Sequence, residues 1–357
     1  TSAFSGGPLW WYENDGASVP SFFGRSVGSL AGATDISSAD IDGDGDEDVI
    51  GVGQSAATVA WFENDGDLPP SWTQRNVDTG LTSAFDAHGV DIDNDGDIDI
   101  VGGSFGGGSA GVYWYESDGA NPPGWTKRTV STTATYSVHS DDVDGDGDID
   151  VLAAFHGSDT VAWFENDGFS PPTWTQRNIT TSADEARYVH TADIDNDGDM
   201  DVLSANAQDD TVSWYENDGV TPPGWTARNI ATGINDARTV YAVDLDGDGD
   251  TDALSASYID KIFYFHESDG AVPPTWTTHI IDTESGFPWQ VLAADINGDG
   301  ALDPISAGDA NWYDRTAIAK SVWDNGGVGS NCSTVGNWRG DSIPTTSSHV
   351  AFSGTSS

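Results

Sequence analysis

The chain has 357 residues, 59 of them acidic and 12 basic, for a formal net charge of −47. That balance argues against nucleic acid or an anionic membrane as partner, while 15 Trp, 13 Phe and 10 Tyr argue against a disordered acidic chain. No apolar run is long enough to insert into a membrane, no leader pattern precedes the first motif, and the single cysteine, Cys332, allows no internal disulfide.

In chain order, the first recognisable motif is WYENDG at 11–16, followed by FGRSV at 23–27. An aspartate-rich loop then begins at Asp40 and recurs at Asp91, Asp142, Asp193, Asp244 and Asp295, each interval being 51 residues. After each of the first five loops comes a relative of the first motif: WFENDG at 61–66, WYESDG at 114–119, WFENDG at 163–168, WYENDG at 214–219 and FHESDG at 265–270. A shortened WYD follows the sixth at 312–314. A third motif trails the second, as WTQRNV at 72–77 and WTARNI at 225–230.

Each repeat therefore holds four short segments of strand character. Strand a leads into the loop (YVHTADI, 188–194), b leaves it (DVLSA, 201–205), c is VSWYE (212–216) and d is WTARNI. Asn-Asp-Gly and Pro-Pro punctuate the c–d connection. Four strands per 51-residue repeat predict an all-β, seven-bladed β-propeller of four-stranded antiparallel blades, in preference to a solenoid. The propeller is expected over 1–322. The chain is expected to start within a b strand, because TSAFSGGPLWWYENDG aligns with LAAFHGSDTVAWFENDG at 152–168. IAKSV (318–322) is expected as the last d strand. Residues 323–357, rich in Gly, Ser and Thr, are expected to be a linker, a ring-closing strand or an inter-subunit strand.

The loop pattern is D-x-D-x-D-G-D-x-D. The candidate ligand positions are Asp40, Asp42, Asp44, Asp46 and Asp48 in the first copy; Asp91, Asp93, Asp95, Asp97 and Asp99 in the second; and Asp142, Asp144, Asp146, Asp148 and Asp150 in the third. The fourth has Asp193, Asp195, Asp197, Asp199 and Asp201, and the fifth Asp244, Asp246, Asp248, Asp250 and Asp252. The sixth departs, with Asp295, Asn297, Asp299, Ala301 and Asp303. Like charges at this density repel unless a cation sits among them. Alternating oxygen donors around a glycine-bearing turn suit Ca²⁺, which takes six to eight oxygens, better than Mg²⁺ with its stricter octahedron. Up to six Ca²⁺ are expected, with position 7 ligating through its backbone carbonyl, as Ala301 allows, and position 9 able to ligate through both oxygens.

D-x-D-x-D-G between two strands, repeated at blade length, resembles the FG-GAP/VCBS repeat family of calcium-binding propellers, in a bacterial-type extracellular form. The resemblance implies the propeller fold and the calcium sites, and a secreted or cell-surface location. Members serve in adhesion, sugar binding and scaffolding, and fold alone does not choose among these.

Other residues carry weaker signals. Glu63, Glu116, Glu165 and Glu216 each precede an Arg (Arg75, Arg128, Arg177, Arg228) by twelve residues, as a cross-strand ion pair requires, and Glu267 faces His279. His88, His139 and His190 share one repeat position and are read as inter-blade packing rather than metal ligands. Tyr136, Arg187, Tyr188, Arg238, Trp289 and Gln290 gather on the end opposite the Asp loops, where rings and forked donors suit a sugar. Asn178 and Asn331 fit the N-glycosylation pattern, and an RGD tripeptide at 339–341 is read as chance. The expected function is a non-enzymatic extracellular module, adhesive, glycan-binding or structural, with glycans, extracellular proteins or copies of itself as partners. The alternatives are a filament subunit assembled through strand exchange at its ends and a polysaccharide lyase.

Overall fold

The structure, a computed structural model, describes residues 7–14, 22–283, 288–306 and 311–313. The predicted start of the chain before residue 7, the last d strand at 318–322 and the tail 323–357, with Asn331 and the RGD tripeptide, lie outside these residues.

Strands β1 (Gly7–Asn14) and β2 (Phe22–Leu30) form a two-stranded sheet. Five four-stranded antiparallel meanders follow. They are β3 (Ala33–Ala39), β4 (Asp48–Gly53), β5 (Thr58–Asn64) and β6 (Trp72–Asp78); then β7 (Ala84–Val90), β8 (Asp99–Ser104), β9 (Gly111–Ser117) and β10 (Trp125–Ser131); then β11 (Ser137–Asp141), β12 (Asp150–Phe155), β13 (Thr160–Asn166) and β14 (Trp174–Thr180). The fourth comprises β15 (Ala186–Ala192), β16 (Asp201–Asn206), β17 (Thr211–Asn217) and β18 (Trp225–Thr232), and the fifth β19 (Ala237–Val243), β20 (Asp252–Ser257), β21 (Ile262–Ser268) and β22 (Trp276–Asp282). A three-stranded sheet of β23 (Val291–Ala294), β24 (Asp303–Ser306) and β25 (Asn311–Trp312) comes last. The predicted a, b, c and d segments correspond to the four strands of each meander. Strand a lies two residues earlier than expected, at Ala186–Ala192, and Ile194 beyond its end gives its N–H to the Asp201 side chain instead of a ladder.

The described residues divide into two compact units, one containing 26–189 and the other 190–283, 288–306 and 311–313. In the first, sheets pack on one another through apolar side chains. Ile50, Val52, Val59 and Trp61 of one sheet meet Ala87, Ile100 and Tyr115 of the next. Val101, Val112 and Trp114 meet Val151, Ala153 and Phe164 in turn. In the second unit Leu254, Phe263 and Phe265 pack with Ile281 and Val291. Strand c supplies the largest buried groups, Trp61, Trp114, Trp163 and Trp214, all fully covered. Strand d carries a recurrent bulge, at Val77, Val130, Ile179, Ile230 and Ile281. The extra residue turns an apolar side chain inward on an otherwise polar strand.

Neighbouring a strands are tied by a side chain at one repeat position in four places. Asp35 accepts the N–H of Ala87 (3.2 Å), Asp86 that of Val138 (2.9 Å) and Ser137 that of Val189 (3.5 Å); in the second unit Thr239 accepts that of Val291 (3.4 Å). Asp35 and Asp86 are also hydrogen-bonded to each other, and burial raises both carboxyls so that they share a proton.

Candidate functional site

Each a–b connection is the aspartate loop, and its side chains have separate tasks. Position 1 folds the loop: Asp40 Oδ1 accepts the Asp44 N–H (3.1 Å) and Oδ2 that of Gly45 (3.0 Å), and Asp91, Asp142 and Asp193 repeat the arrangement. The position-5 carboxylate accepts the position-7 N–H at 3.0 Å in five loops. Position 6 takes φ between +88° and +101° in all six copies, a backbone state that glycine reaches without steric cost.

Position 9 joins the loop to strand c. Asp48 is 1% exposed; its Oδ2 accepts the Ile41 N–H (3.1 Å) and its Oδ1 the Asn64 N–H (2.7 Å). Asp99, Asp150, Asp201 and Asp252 do the same with Ile92 and Ser117, Val143 and Asn166, Ile194 and Asn217, and Leu245 and Ser268. Burial pushes Asp48 up to about 7 and Asp150 to about 8, against these bonds, which favour the charged form.

Position 3 points inward with capacity to spare. The Oδ1 atoms of Asp42, Asp93 and Asp195 are buried and accept no hydrogen bond, and Asp195 as a whole is 7% exposed. Burial, then the neighbouring carboxylates, raise Asp42 and Asp195. Three carboxylates converge to within 4.8 Å in five loops: Asp40, Asp42 and Asp44; Asp91, Asp93 and Asp99; Asp142, Asp144 and Asp146; Asp193, Asp195 and Asp197; and Asp244, Asp246 and Asp248. Buried oxygens lacking donors, amid an all-oxygen set, fit a hard divalent cation. The sixth loop forms no such trio among the described residues; Asn297 Oδ1 instead accepts the Asp299 N–H (2.9 Å).

The W-[FY]-E-[NS]-D-G motif proves to be the other half of this site, which its sequence did not reveal. Its Asn or Ser delivers the backbone N–H that position 9 accepts. The Asn166 amide also donates to the carbonyls of Ile92 and Ile149, so it spans two loops. Its Asp makes the turn: Asp65 Oδ1 accepts the N–H groups of Asp67 (3.1 Å) and Ser71 (2.9 Å). Its Gly makes room, since a Cβ at Gly66 would lie 2.2 Å from Asp46 Oδ2, and Gly119, Gly168, Gly219 and Gly270 are crowded alike by position 7 of their loops. Position 7 therefore packs its carboxylate on the c–d turn. The Leu68–Pro69 bond and its four counterparts are cis.

The predicted ion pairs form, at 2.5–2.6 Å: Arg75–Glu63, Arg128–Glu116, Arg177–Glu165 and Arg228–Glu216, with His279–Glu267 at 2.7 Å. They lie on the diagonal rather than directly opposite, because Glu63 pairs with Thr73 and Arg75 with Trp61. Each guanidinium covers the buried Trp of its strand pair, at 5.3–5.8 Å.

The b–c and d–a connections occupy the other end of each sheet. In the first unit Arg187 lies over Tyr136 (4.5 Å) and bonds Glu185 (3.1 Å), whose other oxygen is 3.6 Å from His156. Phe105 stacks on Tyr136 (4.5 Å, 19°), and Phe85 and His156 meet it edge-on at 4.8 and 5.0 Å. In the second unit Arg238 lies over Tyr258 (3.7 Å) and Trp289 (4.6 Å) while Asp236 holds it with two bonds of 3.0 and 2.8 Å. Of the six residues expected to gather, Tyr136 lies with Arg187 and Trp289 with Arg238, in separate clusters. Tyr188 follows Arg187 on β15 and so projects from the opposite face of the strand. Gln290 stands at the same repeat position as Tyr188, which Asp35, Asp86, Ser137 and Thr239 use for links between strands. Phe105, His156 and Tyr258 were missed because they sit in connections without a motif.

His88 and His139 lie 6.0 Å apart, His88 Nε2 is 2.9 Å from Ser140 Oγ, and His190 stacks on Tyr241 at 5.0 Å. Burial, then His139, lowers His88 to about 3, so it packs as a neutral ring. Asn178 is exposed on β14.

The FG-GAP-like repeat matches this sequence five times in tandem, at residues 40–102, 91–153, 142–204, 193–255 and 244–306. No curated protein matches it. Among solved structures, a lectin of Agrocybe aegerita that recognises non-reducing terminal N-acetylglucosamine is similar in fold (TM-score 0.51, 18% identity, 78% of this chain and 76% of that one). An auxiliary nutrient-binding protein of Bacteroides thetaiotaomicron is similar at TM-score 0.50 and 11% identity, over 78% of this chain and 66% of that one. The overlapping repeats run through well over half of the sequence, each running from one aspartate loop through the next, and the chain therefore belongs to the FG-GAP-like repeat family.

Proposed function

We propose that this chain is a non-catalytic, calcium-loaded β-propeller module of an extracellular protein, seven-bladed, that binds glycans through the end opposite its aspartate loops. The observation that carries the calcium reading is the buried, donorless Oδ1 of Asp42, Asp93 and Asp195. A carboxylate oxygen removed from water without a partner costs several kcal/mol, about what a bound cation would return. Extracellular calcium modules bind in the roughly 10⁻⁴–10⁻³ M range, and a chain that needs so many loops filled would find that Ca²⁺ outside the cell, which supports a secreted or surface location. Half-buried rings grouped with polar side chains, together with two binding-protein neighbours of the same fold, support a carbohydrate ligand. A lyase would have to use Tyr136, His156 and Arg187, but Glu185 already neutralises that guanidinium. The binding reading is therefore the stronger one.

The test is a thermal melt of the full chain in Ca²⁺ and in excess chelator, with glycan-array binding in both. A cation that binds only the folded state stabilises it by mass action, about 2.7 kcal/mol per site at one hundred times its Kd. A fall in Tm on chelation with loss of array binding is expected; an unchanged melt refutes the calcium reading, and an empty array refutes the glycan reading.

A further inference from the structure

The exact 51-residue interval of the aspartate loops conceals two compensating length changes in the first unit. Six residues, 105–110, separate β8 from β9, where four separate the corresponding strands of the other four meanders. The run from Trp125 to His139 takes 14 steps, against 16 from Trp72 to His88 and from Trp174 to His190. The longer connection and the shortened one meet. The Thr135 N–H donates to the Ser104 carbonyl (3.1 Å), and Phe105 stacks on Tyr136. Ser109 Oγ anchors the longer loop to Thr82 Oγ1 (2.7 Å), leaving Gly106, Gly107 and Gly108 at its tip. A Cβ at Gly108 would touch nothing within 4 Å. The other four-stranded meanders keep one common length at this connection, so this is a place where the repeat has been altered.

We infer that Phe105, backed by Tyr136 and flanked by the Gly106–Gly108 tip, is a platform for the apolar face of a neutral pyranose, with His156 and Glu185 at its edge to meet hydroxyl groups. The inference rests on the glycan reading above. Arg187 and Phe105 both lie against Tyr136, so the ring face left for a ligand is the outer side of Phe105. Phe105, Tyr136, His156 and Glu185 all remain partly exposed. The site carries no excess positive charge: Glu185 compensates Arg187, the Asp159 carboxylate accepts the Glu185 N–H (3.2 Å), and burial, then Arg187, keeps His156 uncharged. A chain of net charge −47 repels acidic sugars, so the ligand is an uncharged one. The second-unit cluster is different. There the Arg238 guanidinium already lies on the rings of both Tyr258 and Trp289, where a sugar would stack.

Saturation-transfer NMR on the full chain in Ca²⁺, with neutral methyl hexopyranosides, 2-acetamido forms included, and methyl glucuronide as probes, tests this. Phe105→Ser, and separately removal of Gly107 and Gly108 to restore the common loop length, are expected to cut the neutral-sugar signal at least tenfold with Tm unchanged. Leu68→Ser, at a 95% exposed turn on the opposite end, is expected to leave it intact. Neutral-sugar binding that survives both loop variants but is lost in Trp289→Ala overturns this platform while leaving the glycan reading standing. A signal from glucuronide equal to that of the neutral sugars overturns the neutral-ligand assignment, and no signal from any probe overturns both readings.

Discussion

Replacing Asp201 with Asn tests whether position 9 clamps the loop to strand c. The carboxylate is 1% exposed and accepts two backbone N–H groups, from Ile194 at 3.1 Å and Asn217 at 2.8 Å. An amide of the same shape keeps one acceptor oxygen and turns an NH₂ group toward the other donor. One buried N–H is then left unpaired, which costs about 1–3 kcal/mol. At ~2–4 °C per kcal/mol for a chain approaching this size, Tm should fall by roughly 2–12 °C. Asp199→Asn, at position 7, removes no such acceptor and should cost under ~1 kcal/mol. Hydrogen exchange supplies the local readout: the Ile194 and Asn217 amides should exchange about 5–150 times faster, the factor that 1–3 kcal/mol of opening free energy implies. Both variants should be measured in chelator and in Ca²⁺, so that a lost ligand is distinguished from a lost clamp. If Asp201→Asn leaves melting and exchange unchanged in chelator, the clamp is wrong.

Three further outcomes are expected. His266 is fully buried between Ser255 Oγ (2.8 Å) and Thr278 Oγ1 (3.0 Å), and burial, then His279, lowers it to about 3. The unfolded chain therefore binds the extra proton below pH ~6.5, so stability is full above that pH and falls as pH drops toward 3, by about 2 kcal/mol between 6.5 and 5. His266→Tyr, imitating Tyr215 at the same repeat position, should remove that portion of the acid sensitivity in denaturant titrations at pH 7.5 and 5.0; equal slopes for both proteins would count against it. Gly168→Ala should destabilise more than Gly147→Ala, because both take positive φ but only the former drives a Cβ to 2.3 Å from Asp148 Oδ2. About 1 kcal/mol is expected for the backbone term alone, and equal melting temperatures would show that Asp148 moves freely. Asn297→Asp should raise the Ca²⁺ stoichiometry or affinity measured by calorimetry, since it restores the third carboxylate of the sixth loop; an unchanged isotherm refutes that role for position 3.

The sequence by itself determined what is local and repeated. A period of 51, alternation within short segments and glycine at position 6 are written in neighbouring residues, because turn geometry and strand pleat act over a few positions. The strands of each meander, the loop identities and the Glu–Arg partnerships were legible for that reason. Tertiary structure alone decided what each aspartate does. Positions 1 to 9 look alike in the sequence, yet position 9 is buried under strand c, position 7 packs on the c–d glycine, and position 3 keeps an open oxygen. The difference depends on which backbone N–H groups approach from residues 16 positions away. Likewise, Phe105 and Tyr136 are 31 residues apart in connections without a motif, and they meet because one connection lengthens where its neighbour shortens. The constant spacing of the loops masked that exchange, since the two changes cancel from one loop to the next; the uneven steps from Trp61 to Trp114 to Trp163 carry it in the sequence, but its consequence shows only where the segments touch.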